Sequence, residues 1–254
     1  MPVMHVDATS LNMRSGPEVM TGNIVASLPL AHRLTVSGPI NAAGFQAATT
    51  VLGGQNLAGF VSAKHLREPA SDAKERLMAE AVAQWLRFER GAGKENVGPF
   101  VGFVGEMWQS IGLVLNGRDR DQPWSAAFIS FVVRRAGYTG FKFAAAHARY
   151  IHDSIVRRQA GQASPFWGFS LNEHKPQLGD LVCRWRLVRR TFDDAVARDD
   201  FKSHCDIVVQ VKPDRVNTIG GNVGDSVSTT SYALDSRGFL SGADNVFAVL
   251  RNNL

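Results

Sequence analysis

The stretch DRDQPWSAAFISFVVRRAG, residues 119–137, decides the fold of this chain because it has the features of one buried helix. Asp121 is placed to cap the start of the helix, Pro123 suits its first turn, and Gly137 can end it. Nearly every residue between these ends is apolar, and a helix that is apolar on all sides belongs in a core. Ser125 is then a small hydroxyl in the first turn of a buried helix. That position suits either a capping group or a nucleophile.

The composition is that of a globular protein with room for one large domain or two smaller ones. The chain has 254 residues, of which 44% are hydrophobic and 20% are charged. No apolar run approaches the length of a membrane span, and the opening MPVMHVDATS lacks the basic and apolar regions of a secretory signal. The sequence therefore fits a cytoplasmic protein, export by a route that needs no such signal, or a chain that is already processed.

The positive charge favours an anionic partner. A net charge of +5 and a pI near 9.5 suit nucleic acid, anionic lipid or bacterial cell wall, although solubility alone is the simpler alternative. The basic residues are scattered, with no zinc-finger spacing and no basic-aromatic signature. We therefore predict no specific binding of nucleic acid.

The two cysteines, Cys183 and Cys205, make no disulfide framework and have no metal-ligand spacing. Both fall in predicted strands, where small buried side chains are the simplest interpretation. One disulfide between neighbouring strands is the alternative for a protein that works outside the cytoplasm. The sequence implies no metal and no organic cofactor.

Residues 1–68 have the pattern of a small β-barrel. Short β-like segments alternate with turn residues, and a linker follows at 68–72. The predicted strands are residues 5–8, 22–27, 34–37, 47–52 and 58–62.

Two segments of this region resemble bacterial SH3 domains. SLNMRSGP at residues 10–17 is similar to their opening motif, and GFVSAKHL at residues 59–66 is similar to their closing motif, with Phe60 in place of the usual Trp. The resemblance implies an SH3-like β-barrel over residues 1–68 that binds peptide or glycan of the bacterial cell wall. A barrel that only packs on a catalytic domain is the alternative, because a fold does not fix a function.

Residues 69–254 show helices first and strands afterwards, which is typical of an α+β domain. The central helix is accompanied by predicted helices at 71–89, 100–113 and 143–158, and residues 159–175 are predicted to be an aromatic loop that forms a lid or lines a groove. A charged insertion at 187–202 is predicted to be a loop or a short helix. The predicted strands are residues 181–185, 206–211, 216–219, 226–232 and 246–251.

Three motifs in this region resemble the papain-like cell-wall amidases and peptidases of the NlpC and CHAP type, over roughly residues 75–251. They are PWSAAFIS at 123–130, LGDLV at 178–182 with HCDIVV at 204–209, and IGGNVGDSV at 219–227. The resemblance implies a papain-like fold with a helical half and an antiparallel sheet. It also implies a catalytic site whose matching positions are Ser125, His204 and Asn222.

The departure from that family is Ser125, which stands where the relatives have a nucleophilic Cys. A thiol paired with an imidazole rests as a thiolate, whereas a hydroxyl needs a base to take its proton during attack. His204 would be that base and then the acid, and Asn222 would orient its ring, with Asp206 as the alternative orienting group. N–H groups in the first turn of the central helix could stabilise the oxyanion.

The remaining candidate residues are assigned to substrate binding: Trp124, Asp206, Asp225 and His147. His147 lies on the predicted helix 143–158, where a structural role is the simpler alternative. Ser125 itself has two further interpretations, an introduced replacement for Cys and an inactive site that only binds wall fragments.

We therefore predict a two-domain hydrolase of amide bonds in bacterial cell-wall peptides. The alternatives are a catalytically inactive wall-binding protein, and an acyl-ester hydrolase or transferase on the same fold. Wall-directed chemistry without a visible signal also permits an effector that is exported into competitor cells.

Overall fold

The computed structural model describes all residues from Met1 to Leu254, and they form two compact units, Met1–Glu75 and Arg76–Leu254. The predicted division between residues 68 and 69 lies earlier in the chain. The physical reason is Glu75, in the first turn of helix α1 (Asp72–Arg87). Its carboxylate accepts from Arg67 at 2.5 and 2.9 Å and from the Ala70 N–H at 2.7 Å, so the start of the helix is bound to the first unit.

The first unit is a seven-stranded antiparallel sheet that curls into a half-barrel, in the order β3-β2-β6-β5-β4-β1-β7. Eight of its buried apolar side chains form one core cluster. The β5–β6 hairpin turns at Gly53 and Gly54, both with positive φ, as a two-residue turn of this kind requires. The strands are β1 (Val3–Val6), β2 (Ser10–Arg14), β3 (Ile24–Pro29), β4 (Arg33–Ser37), β5 (Phe45–Leu52), β6 (Gln55–Ser62) and β7 (Leu66–Arg67).

Strand β2 was not among the predicted strands, although it alternates as a half-buried strand should. Leu11 and Met13 are buried, while Ser10 is exposed and Asn12 and Arg14 are partly exposed. Only two apolar side chains form the alternating pattern, and turn residues follow them directly. The sequence pattern was therefore too short to indicate a strand. The predicted strand at 5–8 is also displaced, because β1 pairs with β4 over Val3–His5.

The second unit contains the predicted buried helix, but the helix is shorter than predicted at its start. Helix α3 (Ser125–Arg135) begins after Trp124, and no side chain caps it, so the prediction of Asp121 as the cap is wrong. Pro123 disfavours helical backbone at the residue before it, which excludes a start at 121. At the other end, Gly137 has φ 82° and closes the helix with an N–H bond of 3.0 Å to the Arg134 carbonyl, as predicted.

Besides α1 and α3, the chain forms α2 (Phe100–Gln109), α4 (His147–Gln159) and α5 (Phe192–Ala197). Helix α2 packs on α3, and α5, which forms inside the charged insertion, packs on α4. Helix α4 starts four residues later than the predicted helix at 143–158. Thr191 and Asp194 form a capping box that fixes the start of α5. None of the helices combines the length and the apolar character that a membrane span needs.

The second sheet has six antiparallel strands in the order β12-β11-β10-β9-β13-β8. Helix α3 packs on β10 and β11, and α4 packs on β8 and β10, so both helices lie against the strand that carries His204. The strands are β8 (Phe166–Phe169), β9 (Leu181–Trp185), β10 (Ser203–Val211), β11 (Arg215–Gly220), β12 (Ser228–Ala233) and β13 (Val246–Asn252).

Strand β8 replaces part of the aromatic loop predicted at 159–175. It pairs with β13, and Phe166 and Gly168 are its buried positions. The strand has only four residues, which is too short for the alternation to stand out in the sequence. Gly168 is required by packing, because a Cβ there would lie 2.3 Å from Ile155 Cγ1 and 3.2 Å from the Ile155 backbone in α4.

A pair of glycine substitutions tests this packing. We expect Gly168→Ala to lower the free energy of unfolding by about 1–3 kcal/mol, since the added methyl must displace α4. The matched control is Gly102→Ala in α2, where a Cβ meets no atom within 4 Å, and it should be neutral or stabilise by about 0.5–1 kcal/mol. Urea denaturation of both variants checks this, and equal stabilities would contradict the packing.

Candidate functional site

The starts of α3 and α4 bring two buried polar side chains into direct contact. The Ser125 hydroxyl lies 2.7 Å from His147 Nε2, although the two residues come from different helices. This distance is within the range for a nucleophile and its base. No side chain caps α3, so the N–H groups of its first turn remain beside the Ser125 hydroxyl.

The other nitrogen of His147 continues the hydrogen bonding into the core. Nδ1 contacts the hydroxyl of Tyr150, one helical turn further along α4. Burial raises the pKa of that hydroxyl, and the nearby buried thiols of Cys205 and Cys183 raise it further. Cys205 Sγ lies 3.1 Å from Cys183 Sγ, and Cys183 Sγ lies 3.9 Å from the Leu181 carbonyl oxygen. The side chains of His147, Tyr150, Cys205 and Cys183 are all buried.

The position of the ring hydrogen of His147 sets the direction of its two hydrogen bonds. With the hydrogen on Nδ1, the ring donates to the Tyr150 oxygen, and the free Nε2 accepts from the Ser125 hydroxyl. Among the thiols, the Cys205 S–H donates to Cys183, and the Cys183 S–H donates to the Leu181 carbonyl oxygen.

The surroundings keep His147 neutral. Complete burial lowers its pKa well below the ordinary value, and the nearby His204, Arg186 and Arg184 lower it further. A neutral imidazole with a free Nε2 lone pair is the form that a general base must have before reaction.

A second polar cluster lies on β10, beside the first. His204 Nε2 is 2.8 Å from Asp206 Oδ1, and Asp206 Oδ2 accepts from the Tyr232 hydroxyl. Arg186 Nη2 lies 3.1 Å from His204 Nδ1. The rings of His204 and His147 are 5.2 Å apart, so the two clusters are neighbours.

The protonation states of His204 and Asp206 follow from their burial and their hydrogen bonds. Burial lowers the pKa of His204, although the Asp206 carboxylate opposes this shift. Burial alone would raise the pKa of Asp206, but His204 and Tyr232 outweigh burial and the net pKa shift is downward. A neutral His204 therefore donates Nε2–H to an ionised Asp206, and its Nδ1 accepts from Arg186.

Two glycines in the motif at residues 219–227 leave room for this arrangement. A Cβ on Gly220 would lie 1.7 Å from Asp206 Oδ1, and one on Gly221 would lie 2.4 Å from Phe128 Cβ. Asn222 follows with φ 55° and forms no hydrogen bond to either histidine. Its backbone conformation is one that Asn tolerates better than most residues.

A pocket of about 490 Å³ opens beside Ser125 and His147. Its charged lining consists of two cations, Arg186 and Lys202, and one carboxylate, Asp121. Much of the remaining wall is apolar and includes Trp108, Leu113, Leu115, Pro123, Ala126 and Phe201. The pocket thus offers an apolar surface and positive charge next to the hydroxyl.

The structure separates six of the predicted site residues into three groups. Ser125 and His147 line the pocket, whereas His204 and Asp206 lie in the cluster beside it. Trp124 and Asp225 belong to the surrounding support and do not line the pocket. The Trp124 indole donates to Glu95 and stacks on Phe88, while the Asp225 carbonyl accepts from the Glu95 N–H.

Three residues of these clusters were not predicted from the sequence: Tyr150, Tyr232 and Arg186. Tyr150 lies three residues after His147, and this spacing places the two on one helix face, which was an available signal. Tyr232 and Arg186 come from distant strands or loops, and no local pattern marks them. No group of three or more His, Cys, Asp or Glu side chains is arranged to hold a metal ion.

The fold and this site define an α+β protein with a buried Ser–His pair at the wall of a pocket. The chain belongs to the family described as "Uncharacterized protein conserved in bacteria (DUF2272)", whose model matches residues 84–253, more than half of the chain. No curated protein matches the sequence. Among solved structures, the chain is similar to "Structure of NlpC2 from Trichomonas vaginalis", with 12% identity and a TM-score of 0.34 over 99% of this chain and 72% of that one.

The buried neutral histidines predict a pH-dependent stability. In the unfolded chain His147 and His204 regain an ordinary pKa of about 6.5, so below that pH the unfolded state binds protons that the folded state does not. The free energy of unfolding should therefore fall as pH drops from 7.5 to 5.5, by up to about 1.4 kcal/mol per pH unit for each histidine.

Urea denaturation followed by tryptophan fluorescence measures this effect, because all five tryptophans lie in Arg76–Leu254. His147→Asn should remove about half of the pH dependence of the free energy of unfolding. This result would identify His147 as one of the two groups responsible. A free energy of unfolding that stays constant from pH 7.5 to 5.5 would show that these histidines are not buried in the neutral form.

Proposed function

We propose that Arg76–Leu254 is a hydrolase that cleaves amide bonds in bacterial cell-wall peptides, with Ser125 as its nucleophile. The observation that carries this proposal is the 2.7 Å contact between Ser125 Oγ and a neutral His147 Nε2 at a pocket. The substrate class is supported by the resemblance of residues 123–130, 178–182, 204–209 and 219–227 to cell-wall amidases and peptidases. Membership of a family described as conserved in bacteria agrees with it.

In the proposed reaction, Ser125 Oγ attacks the amide carbonyl while His147 Nε2 takes the hydroxyl proton. His147 returns this proton to the leaving amine, and an acyl-serine ester remains. Water then attacks the ester with His147 again as base, which releases the acid and restores Ser125. First-turn N–H groups of α3 and the nearby Arg186 would stabilise the oxyanion.

His204 is the base that the family resemblance implies, but its hydrogen bonds favour His147 for this role. Both ring nitrogens of His204 are occupied, Nε2 by Asp206 and Nδ1 by Arg186. We propose that His204 and Asp206 hold Arg186 beside the pocket. Asp206 is then the orienting group for His204, in place of the predicted Asn222.

Incubation of purified peptidoglycan with four variants tests the nucleophile and the base. The wild-type protein should release amines, and Ser125→Ala should release none. His147→Asn should lower the rate about 10²–10⁴-fold through loss of the base, and His204→Asn should lower it less. Ser125→Cys should stay active, because a thiol beside this histidine is also a nucleophile.

Three outcomes would contradict parts of this proposal. No amine from any form would refute a wall amidase. Activity in the Cys variant alone would show that Ser125 is not a working nucleophile. A larger loss in His204→Asn than in His147→Asn would assign the base to His204.

An acyl-ester hydrolase or transferase is a second candidate, and the apolar wall of the pocket favours it. The same Ser125–His147 pair would then attack an ester whose acyl chain lies against Trp108 and Phe201. A panel of acyl esters of increasing chain length distinguishes the two functions. Turnover that rises with chain length, without release of amines from peptidoglycan, would support the second candidate.

We further propose that Met1–Glu75 is an SH3-like barrel that binds cell-wall peptide or glycan. A groove of about 750 Å³ on this unit combines the basic Lys64 and Arg14 with the exposed apolar side chains of Ile40 and Val19. Positive charge next to apolar surface suits an acidic peptide.

Co-sedimentation with purified sacculi tests this binding in the Ser125→Ala background, where no turnover removes the ligand. The double variant Lys64→Glu, Ile40→Ser should lose most of the bound fraction. Its control is Val51→Ser on the same unit, an exposed residue outside this groove, which should bind normally. Equal binding of all three proteins would exclude this groove as the wall-binding surface.

A further inference from the structure

Cys183 and Cys205 lie opposite one another on paired strands behind the candidate site. They are direct partners in the register of β9 and β10, and their sulfur atoms are 3.1 Å apart. Both are free and completely buried. Opposite residues of an antiparallel pair have Cα atoms about 4.5–5.5 Å apart, which lies within the range that disulfides span.

We propose that Cys183 and Cys205 form a reversible disulfide, which makes this pair a redox modification site of the protein. The oxidant is a low-molecular-weight disulfide such as oxidised glutathione. One cysteine thiolate attacks it, forms a mixed disulfide and releases one glutathione thiol. The second cysteine then attacks the mixed disulfide and releases the other, so that two cysteine thiols are oxidised and one glutathione disulfide is reduced.

The position of the pair makes the bond structurally significant. Cys205 lies between His204 and Asp206 on β10, and Cys183 lies in the neighbouring strand β9. A covalent bond there would tie the strand that carries the second polar cluster to the middle of the sheet. It would also close a loop that contains α5 and Arg186, which restricts the unfolded chain.

The route to oxidation follows from the burial of the thiols. Burial raises the pKa of the Cys205 thiol, so a thiolate is scarce in the folded protein. Oxidation should therefore occur most readily before β9 and β10 close around the pair. Refolding in a redox buffer is accordingly the condition in which the bond should form.

The test is refolding of the full chain in oxidised or in reduced glutathione, followed by alkylation in denaturant. Oxidised conditions should leave no free thiol and lower the mass by about 2 Da, and reduced conditions should leave both thiols. The oxidised protein should melt about 5–10 °C higher, and unfolding and refolding it in reductant should reverse the difference. Cys183→Ser should show no such difference between the two buffers.

Two results would overturn the proposal. One is a protein refolded in oxidised glutathione with native tryptophan fluorescence and two free thiols. The other is oxidation only to a glutathione adduct or to a disulfide between two chains. Neither result depends on Ser125, so the failure of this proposal is distinguishable from the failure of the proposed hydrolase.

Discussion

The hydrogen bond between Ser125 and His147 is part of a polar cluster inside an otherwise apolar core. His147 also contacts the Tyr150 hydroxyl, and the two cysteines contact each other and the Leu181 carbonyl beside it. Buried polar groups are costly unless each is paired, and here every member has a partner. With the hydrogen of the neutral ring on Nδ1 and donated to Tyr150, Nε2 of His147 is left to accept from Ser125.

Close packing by small residues allows the two polar clusters to lie side by side. Gly220 leaves space for the carboxylate of Asp206, and Gly221 leaves space for Phe128 of α3. Helix α3 therefore approaches β10 and β11 closely, with its uncapped start at the pocket. The arrangement combines a neutral imidazole, a cation and free helix N–H groups around one hydroxyl, which is the chemistry that acyl transfer requires.

Local signals in the sequence predicted much of the fold, and tertiary contacts account for what they missed. Gly137 ends α3 as predicted, because a glycine C-cap is determined within one turn. Asp121 failed as a cap because Pro123 sets the backbone before the helix. The role of Ser125 stays a prediction from its motif, whereas its contact with His147 joins two helices and has no local pattern. Tyr232 and Arg186 were not predicted for the same reason, because their contacts also join distant parts of the chain.

The protonation state of His147 tests most directly whether this residue can accept the proton of Ser125. Nitrogen-15 NMR of the protein with labelled histidine, assigned with His147→Asn, reports which ring nitrogen carries the hydrogen at pH 7. We expect a neutral ring with hydrogen on Nδ1 and an unprotonated Nε2, whose shift changes in Ser125→Ala. A charged imidazolium, or a neutral ring with hydrogen on Nε2, would contradict it.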